Sequence, residues 1–205
     1  MTRAGPAARV GASGANGYPM RSVVSGFVAA FLLAAPASAQ GLVLDELRFG
    51  GFFHNAYQGF LPTSPNWTLD DLQDVKFAAL FASPDIDAFA WIGSPRPEIG
   101  TTLNLDGLSE SFVHANLNWQ LPVFDTPFYL EAGFGAALTN AALEGAARPA
   151  RNLGCALAFY DAFGVGAHLS EEVSLTLRYE HISNLELCEP NDGLSNLGLM
   201  LGVRF

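Results

Sequence analysis

Leu197-Gly-Leu-Met-Leu-Gly-Val-Arg-Phe205, the last nine residues of the chain, alternate between large apolar side chains and small or polar ones. The odd-numbered positions hold Leu, Leu, Leu, Val and Phe, whereas the even-numbered positions hold Gly198, Met200, Gly202 and Arg204. Successive side chains of a β-strand point to opposite faces. One face of this strand therefore suits lipid, and the other suits a narrow interior.

Seven more segments carry strand signals, and together with the last one they predict a closed barrel. Alternation is clear in 111–121, 127–138 and 171–184 and weaker in 44–54, 74–83, 97–106 and 154–167. Asp161 breaks the alternation of the 154–167 segment, so we expect a bulge or a change of phase there. Eight strands make the smallest common membrane barrel, and closure leaves no unpaired strand edge in the hydrocarbon. The predicted fold is all-β, an eight-stranded antiparallel transmembrane β-barrel.

The first 39 residues have the composition of a secretory signal peptide. They contain three arginines and no acidic residue, an apolar run over 23–35, and the sequence Ala37-Ser-Ala39. A basic start, a short apolar core and an A-x-A end are the features of a cleaved signal, and the run is too short to span the ~30 Å of a bilayer core. We therefore predict a signal peptide over 1–39 and a barrel domain over 40–205. Both Met1 and Met20 fit as the start.

The predicted barrel domain is strongly acidic. The chain has 10 Lys and Arg against 20 Asp and Glu; without the three arginines of the signal peptide, 7 basic residues face 20 acidic ones, a net charge of −13. This charge repels phosphate backbones and excludes nucleic acid as a partner. His54, His114 and His168 lack ligand-like spacing, so we predict no metal site. The composition does not decide the oligomeric state.

Cys155 and Cys188 are the two cysteines of the chain. Export brings them to an oxidising compartment, where disulfides form. In the predicted topology Cys155 lies near the outer start of the sixth strand, and Cys188 lies in the loop after the neighbouring seventh strand. We expect a disulfide between them, with a pair of buried thiols as the alternative.

His181 and Ser183 lie two residues apart in Arg178-Tyr-Glu-His-Ile-Ser183, near the end of the predicted seventh strand. Alternation places both on the face of Leu175 and Leu177, so we expect them to face lipid at the level of the outer leaflet. A serine hydroxyl is a weak nucleophile until a nearby imidazole takes its proton. The pair predicts a serine hydrolase with a lipid substrate. The alternative is a histidine and a serine that only contact lipid headgroups.

A longer pattern surrounds this pair: His181-Ile-Ser-Asn184, then Pro190-Asn-Asp-Gly193, then the final strand ending in Phe205. It resembles the lipid A 3-O-deacylases, the PagL-like acyloxyacyl hydrolase family of outer-membrane barrels. Phe205 is similar to the C-terminal aromatic signal of bacterial outer-membrane barrels. The resemblance implies a place in the bacterial outer membrane, lipid A of lipopolysaccharide as the substrate, contact with outer-membrane lipid, and no cofactor.

The resemblance also implies roles for individual residues. Ser183 is implied to be the nucleophile and His181 the base that takes its proton. Asn191 is implied to hold the oxyanion, with Asn184 and Gly193 shaping the same oxyanion and substrate region.

Two positions depart from the family pattern. Leu185-Glu186 stand where family members commonly have Ala-Gly, and Ser195 stands where the best-known form has a glutamate that orients the histidine. If paired residues of the last hairpin have numbers that sum to about 376, Ser195 lies opposite His181 on the same face. We therefore predict a Ser-His-Ser arrangement, with the loop acids Glu186, Glu189 and Asp192 as the alternative orienting groups.

Three functions fit these observations to different degrees. The first is an outer-membrane serine esterase that transfers an ester-linked acyl chain, at the 3 position of lipid A, to water. The second is a non-enzymatic barrel, structural or adhesive, with a vestigial site; the change at Ser195 keeps this alternative open. The third is a soluble lipid-binding barrel, which needs large apolar side chains around an inner cavity. The inward-facing Gly198 and Gly202 argue against the third.

Overall fold

The computed structural model describes residues 42–205 apart from 58 and 64. The predicted signal peptide and both candidate starts lie outside the described residues. Eight antiparallel strands pair in chain order, and the last pairs with the first, which closes the barrel. The strands are β1 (Leu44–Phe53), β2 (Leu72–Phe81), β3 (Arg96–Asn104), β4 (Phe112–Pro122), β5 (Phe128–Thr139), β6 (Leu157–His168), β7 (Val173–Ser183) and β8 (Leu194–Arg204), and a short helix, α1 (Asp87–Trp91), lies between β2 and β3. Within the described part of the chain, no helix is long and apolar enough to cross a membrane.

The predicted eight-stranded antiparallel barrel is confirmed, and every predicted strand bound lies within three residues of the observed one. β8 begins at Leu194, earlier than predicted, because residues 194–196 still pair with β7. The bulge expected at Asp161 is wrong: β6 pairs with both β5 and β7 through this position without a register break. Asp161 keeps the outward phase of its neighbours and is nevertheless buried, so the acid lies at a regular, covered position of the wall.

The barrel wall presents an apolar belt to its surroundings. Large outward-facing side chains remain exposed on most strands, among them Leu47, Phe49, Phe77, Ile99, Phe134, Val165, Leu175, Leu177 and Leu199. A belt of this kind is what the hydrocarbon region of a membrane requires of a transmembrane barrel.

The barrel interior holds a connected set of buried charges. Arg178 Nη2 lies 2.7 Å from Glu98 Oε1, and Arg178 Nη1 lies 3.3 Å from Glu131 Oε1. Lys76 Nζ lies 2.5 Å from Glu180 Oε2. Buried ions are tolerated when they are paired and hydrogen-bonded. This polar filling argues against the soluble barrel with an apolar ligand at its centre.

The two ends of the barrel carry different connections. The two shortest connections, 123–127 and 169–172, lie at the end that also holds 82–95 and the described termini. The opposite end carries loop 1 (54–71), loop 2 (105–111), loop 3 (140–156) and loop 4 (184–193). Bacterial membrane barrels place their short turns in the periplasm and their longer loops outside the cell. We therefore call the end with loops 1 to 4 the outer end, and it is here that β7 ends with His181 and Ser183.

Candidate active site

His181 and Ser195 are direct cross-strand partners, because β7 and β8 pair with residue numbers that sum to 376. His181 Nδ1 lies 2.7 Å from Ser195 Oγ. When Nδ1 carries the ring proton, it donates to Ser195 and leaves Nε2 able to accept a proton. The predicted register is confirmed, and the two side chains are in contact.

The Ser195 hydroxyl has two further neighbours that fix its orientation. The Tyr179 hydroxyl donates to Ser195 Oγ at 2.9 Å, and Ser195 Oγ donates to the carbonyl of Gly59 at 3.3 Å. The Tyr179 hydroxyl also contacts the Gly59 carbonyl. When the proton of Ser195 points to this backbone carbonyl, its lone pairs remain for Tyr179 and for the His181 ring. The hydroxyl is thereby set as an acceptor toward His181.

Loop 1 covers the outward face of β7 at the outer end. His181 and Ser183 share this face with Leu175 and Leu177, yet they are 5% and 8% exposed against 39% and 48% for the two leucines. The Phe60 ring packs edge-on against the His181 ring, with centroids 6.2 Å apart. The expectation that His181 and Ser183 face lipid directly is therefore wrong. They lie on the predicted face, but a long loop folds back over them because this buries its aromatic side chains against the wall.

Two more aromatic side chains of loop 1 hold this cover in place. The rings of Tyr57 and Trp67 pack against Tyr179 at centroid distances of 6.2 and 6.0 Å, and against each other at 4.9 Å. The Ala56 N–H donates to the Ser195 carbonyl at 2.7 Å. Loop 1 is therefore bonded to β8 directly beside the pair formed by His181 and Ser195.

Ser183 ends β7 on the same face as His181. The described hydrogen bond of the His181 ring uses Nδ1, so Nε2 is the nitrogen available to Ser183 or to a substrate. Such contacts often tighten only when the substrate is bound. Gly193 leaves space beside the ring: a Cβ there would lie 2.9 Å from His181 Cε1 and 3.5 Å from Nε2, and the φ of Gly193 is +63°. A side chain at this position would crowd the imidazole.

Asn184 and Asn191, the predicted oxyanion residues, are both bonded within the outer loops. Asn184 Nδ2 donates to the carbonyls of Leu153 at 2.7 Å and Cys188 at 2.6 Å. Asn191 Oδ1 accepts from the backbone N–H of Asn184 at 3.1 Å, and Asn191 Nδ2 donates to Glu186 Oε1 at 3.1 Å. In this conformation the two amides hold loop 4 in shape next to Ser183. Their roles toward an oxyanion stay predictions.

A disulfide between Cys155 and Cys188 joins loop 3 to loop 4, with a Cα–Cα distance of 5.7 Å. The predicted pairing is confirmed. Asp192 reinforces the same junction, since its carboxylate accepts from the Asn152 backbone N–H at 3.0 Å and lies 2.9 Å from Arg148 Nη2. Those hydrogen bonds hold the pKa of Asp192 below its usual range. The segment between Ser183 and β8 is therefore tied to loop 3 at several points.

The loop acids proposed as alternative orienting groups lie away from the imidazole contacts that are described. Glu186 bonds Asn191, Asp192 bonds loop 3, and Glu189 is exposed. The side chain found at His181 Nδ1 is Ser195. The geometry thus favours the Ser-His-Ser arrangement over an orienting acid from loop 4.

The family model for lipid A 3-O-deacylase (PagL) matches residues 84–204, more than half of the chain. The chain belongs to this family. The match includes every predicted site residue, from Cys155 to Ser195, and the apolar alternation of β4 to β8. The resemblance drawn from the sequence is confirmed.

Two curated relatives carry the name lipid A deacylase PagL. The protein from Bordetella bronchiseptica (strain ATCC BAA-588 / NCTC 13252 / RB50) is 33% identical over 116 residues, which cover 53% of this chain and 61% of the relative. The protein from Pseudomonas aeruginosa (strain PAO1) is 37% identical over 75 residues, which cover 37% of this chain and 41% of the relative. The matched part of the chain thus spans less than two thirds of either relative.

Solved structures that are similar to this chain include an outer membrane enzyme and a β-barrel domain. The crystal structure of the outer membrane enzyme PagL is 19% identical, with a TM-score of 0.48, and covers 78% of this chain and 99% of its own. The N-terminal β-barrel domain of Pseudomonas aeruginosa OprF is 11% identical, with a TM-score of 0.49, and covers 81% of this chain and all of its own.

Asp161 is a neighbour of the family site that the sequence reasoning did not identify. It lies on β6 directly opposite His181, on the side away from Ser195. It is 3% exposed, and its Oδ2 has no hydrogen-bond partner. The sequence does show an acid at an apolar position of this strand, but the alternation alone predicts a bulge or a change of phase there. His181 therefore has a hydroxyl on one flank and a carboxylate-bearing residue on the other.

The described residues contain no group of three or more His, Cys, Asp and Glu side chains that would hold a metal ion. What the site does present is a serine hydroxyl, an imidazole whose Nδ1 contacts a second hydroxyl, and a cover of aromatic side chains. This arrangement can carry acyl transfer from an ester to water without any further group.

Proposed function

We propose that this chain is an outer-membrane serine esterase that removes an ester-linked acyl chain from lipid A of lipopolysaccharide, at the 3 position. The observation that carries the proposal is the contact between His181 and Ser195 beside Ser183, on the membrane-facing side of the barrel at its outer end. Family membership over residues 84–204 supports the reaction class. The predicted signal peptide over 1–39 supports export to that membrane.

The reaction proceeds by acyl transfer through Ser183. As Ser183 Oγ attacks the ester carbonyl, its proton passes to His181 Nε2, and the negative charge develops on the carbonyl oxygen. The intermediate collapses, the C–O bond to the sugar breaks, and the imidazolium gives its proton to the departing sugar oxygen. Water then repeats the sequence on the acyl-enzyme, which releases the fatty acid and restores Ser183.

Ser195 positions the imidazole for both halves of this reaction. By accepting from Nδ1–H it holds the tautomer in which Nε2 is the base, the role that an acid fulfils in Ser-His-Asp sites. A neutral hydroxyl stabilises the imidazolium less than a carboxylate does, which predicts a slower enzyme. Asp161, opposite His181 on the other side, is placed to add negative charge near the imidazolium.

The oxyanion is assigned to the amides of loop 4. The Asn184 backbone N–H directly follows the nucleophile, the position from which many hydrolases donate to the oxyanion. In the conformation described it bonds Asn191 Oδ1, so a turn of the Asn191 side chain releases it. Asn191 Nδ2 then becomes a second donor near the same place.

The lipid character of the substrate follows from the surface that leads to the site. Leu175 and Leu177 are exposed on the same face of β7 below His181, so an acyl chain in the outer leaflet lies along apolar wall up to the catalytic pair. Loop 1 must shift to admit the ester, because Phe60 packs on His181. The aromatic cover also keeps bulk water from the site while it is closed.

Mass spectrometry of lipid A from cells that express the chain tests the proposal. Wild type should remove the mass of one 3-hydroxyacyl chain, whereas Ser183→Ala should leave lipid A intact, because loss of the nucleophile lowers the rate by several orders of magnitude. Ser83→Ala is the matched control, since it removes a hydroxyl near the opposite end of the barrel that has no hydrogen-bond partner. Heat-modifiable migration shows that all three proteins are folded.

If Ser183→Ala removed the acyl chain from lipid A at the wild-type rate, this mechanism would be excluded. Intact lipid A with folded wild type would instead support the alternative, a structural or adhesive barrel with a vestigial site.

A further inference from the structure

A polar cavity of about 570 Å³ opens at the outer end between loop 1 and loop 3. Its lining includes His54, Asn55, Tyr57, Asp71 and Arg151. The catalytic pair formed by His181 and Ser195 does not line it. The cavity is therefore a separate space, and its side chains are of the kind that bind hydroxyl and anionic groups.

Arg151 is the unusual member of this lining. The structure describes seven lysine and arginine residues; six of them form ion pairs with carboxylates, and Arg151 alone among the seven does not. It is only 2% exposed. Its Nε and Nη2 both donate to the neutral Asn55 Oδ1, at 2.8 and 2.5 Å. A buried cation without a directly bonded counter-ion is unfavourable, so this guanidinium is suited to bind an anion that enters the cavity.

The nearby acids are already engaged elsewhere. Glu110 Oε1 accepts from the backbone N–H of Arg151, and Glu110 Oε2 lies 3.1 Å from His54 Nε2. His54 Nδ1 is 2.9 Å from Asp74 Oδ2. Burial and the charge of Arg148 lower the pKa of Arg151, and the charges of Asp192 and Glu110 offset this only in part. Asp71, also on the lining, repels a bare anion but accepts hydrogen bonds from hydroxyls.

A guanidinium beside hydroxyl-accepting groups suits a sugar that carries a negative charge. Arginine binds phosphate and carboxylate with two parallel hydrogen bonds. Asn55, Thr68 and Asp71 provide polar partners for ring hydroxyls around it. A volume of about 570 Å³ is enough for a saccharide unit, since small-molecule sites span roughly 300–1,000 Å³.

The cavity is connected to the catalytic residues through a short segment of loop 1. Tyr57 lines the cavity, and its ring packs against Tyr179, which bonds Ser195. The neighbouring backbone groups are fixed to β8 as well, since Asn55 N–H donates to Asn196 Oδ1 at 3.0 Å. A ligand in the cavity would thus set the position of the segment that covers the catalytic pair.

We propose that this cavity binds an anionic group on the saccharide head of the lipid substrate, a phosphate ester or a sugar carboxylate, with Arg151 as its principal ligand. The identity of the lipid rests on the proposed function; the anion site rests on the cavity and on the unpaired guanidinium. The site anchors the head of the lipid while its acyl chain lies along β7.

Equilibrium binding to protein refolded in detergent micelles tests this, in a Ser183→Ala background so that no turnover is needed. The probes are phosphorylated lipid A, the same lipid with its phosphates removed, and dephosphorylated lipid A that carries acidic core sugars. Arg151→Gln should weaken binding of an anionic probe about tenfold to hundredfold, the worth of a charge-assisted pair. Arg148→Gln is the control, because it removes the same charge from an exposed position in loop 3.

The pattern across probes identifies the anion: loss for phosphorylated lipid A assigns a phosphate, and loss for the acidic-sugar lipid alone assigns a carboxylate. Thr68→Trp, which fills the cavity without changing Arg151, should weaken the same probe. Equal affinities for charged and uncharged lipid, or equal losses in Arg151→Gln and Arg148→Gln, would overturn the site. Absence of acyl release by wild type would count against the esterase and leave this binding result standing.

Discussion

At the scale of single residues, His181, the proposed base, is bordered by a serine where a carboxylate would be expected. Ser195 Oγ lies 2.7 Å from His181 Nδ1 and also bonds Tyr179 and the Gly59 carbonyl. When Nδ1 carries the ring proton, the ring is therefore oriented by a chain of neutral groups. Such a chain orients the ring but contributes no charge to the imidazolium.

Replacement of Ser195 separates orientation from charge. We expect Ser195→Ala to lower kcat about tenfold with little change in KM, since one hydrogen bond to the ring contributes roughly 1–1.5 kcal/mol. Ser195→Glu should preserve or raise kcat, because a carboxylate both orients the ring and stabilises the imidazolium. Steady-state kinetics on lipid A over a range of pH provide the measurement, with Glu189→Gln as an exposed control.

A silent Ser195→Ala would contradict this role. If Asp161→Asn then lowered kcat, the orienting group would be the carboxylate on the β6 side. If Glu186→Gln, Glu189→Gln or Asp192→Asn abolished activity instead, it would be an acid of loop 4.

The contact of Ser195 with His181 was predictable because the numbers of paired residues in an antiparallel hairpin have a constant sum. One assumed register therefore predicts every pair. The environment of Asp161 was not predictable, because the sequence shows an acid at an apolar position but not that this position is buried. The bonding of Asn184 and Asn191 to loop backbone was equally hidden, since amides in irregular loops follow no period.

At the scale of elements, the outer loops are held together by one covalent bond and several polar ones. The disulfide closes a separation of 33 residues, which contributes about 3–4 kcal/mol in the chain-entropy model. We expect no reactive thiols in the unreduced, unfolded protein. Reduction should lower activity several-fold by loosening loop 4 while the barrel stays folded. Two thiols labelled without reductant would refute the bond, and a Cys155→Ser, Cys188→Ser double variant controls for reductant effects.

The base of loop 1 carries a pH-sensitive anchor. Burial alone would lower the pKa of His54, but hydrogen bonds and charge from Asp74 and Glu110 raise it to about 9, above about 6.5 for an unfolded chain. Because the folded pKa is the higher one, the stabilisation is complete below about pH 6.5 and is lost as pH rises through about 9. Proteolytic cleavage within loop 1 should therefore accelerate over this range.

His54→Gln provides the comparison for that anchor. Loop 1 of this variant should be cleaved faster than loop 1 of wild type at pH 6, and its cleavage rate should change little further up to pH 9.5. A wild type whose cleavage rate is flat over the same range would show that His54 does not hold the loop.

Loop 1 also marks the limit of what the strand pattern predicts. Alternation located all eight strands to within three residues, because each strand has one side facing lipid and one facing a polar core. Residues 54–71 show no regular alternation of apolar and polar side chains. The packing of their aromatic side chains depends on the surface of the folded barrel. The burial of His181 and Ser183 was missed for this reason, although the strand face was predicted correctly.

At the scale of the whole molecule, the apolar outside of the barrel encloses a charged interior. Ion pairs in this interior link strands far apart in sequence, such as Arg48 to Glu131 and Lys76 to Glu180. Each charge points into the barrel because the strand period places it there, opposite a lipid-facing neighbour. The domain has a net negative charge, yet the ions at its centre are closely paired.

Arg178 is the member of this network whose loss should be most damaging. It makes two hydrogen bonds with Glu98, at 3.1 and 2.7 Å, and a third with the Tyr160 hydroxyl at 2.9 Å. Arg178→Met leaves Glu98 and Glu131 undercompensated, so we expect the free energy of unfolding to fall by about 3–5 kcal/mol. Arg204→Gln, at the partly exposed edge with ion-pair distances of 3.8 and 3.9 Å, should change it by about 0–1 kcal/mol. Urea unfolding of the refolded barrels in one detergent measures both, and equal stabilities would mean that the interior ions contribute no more than surface pairs do.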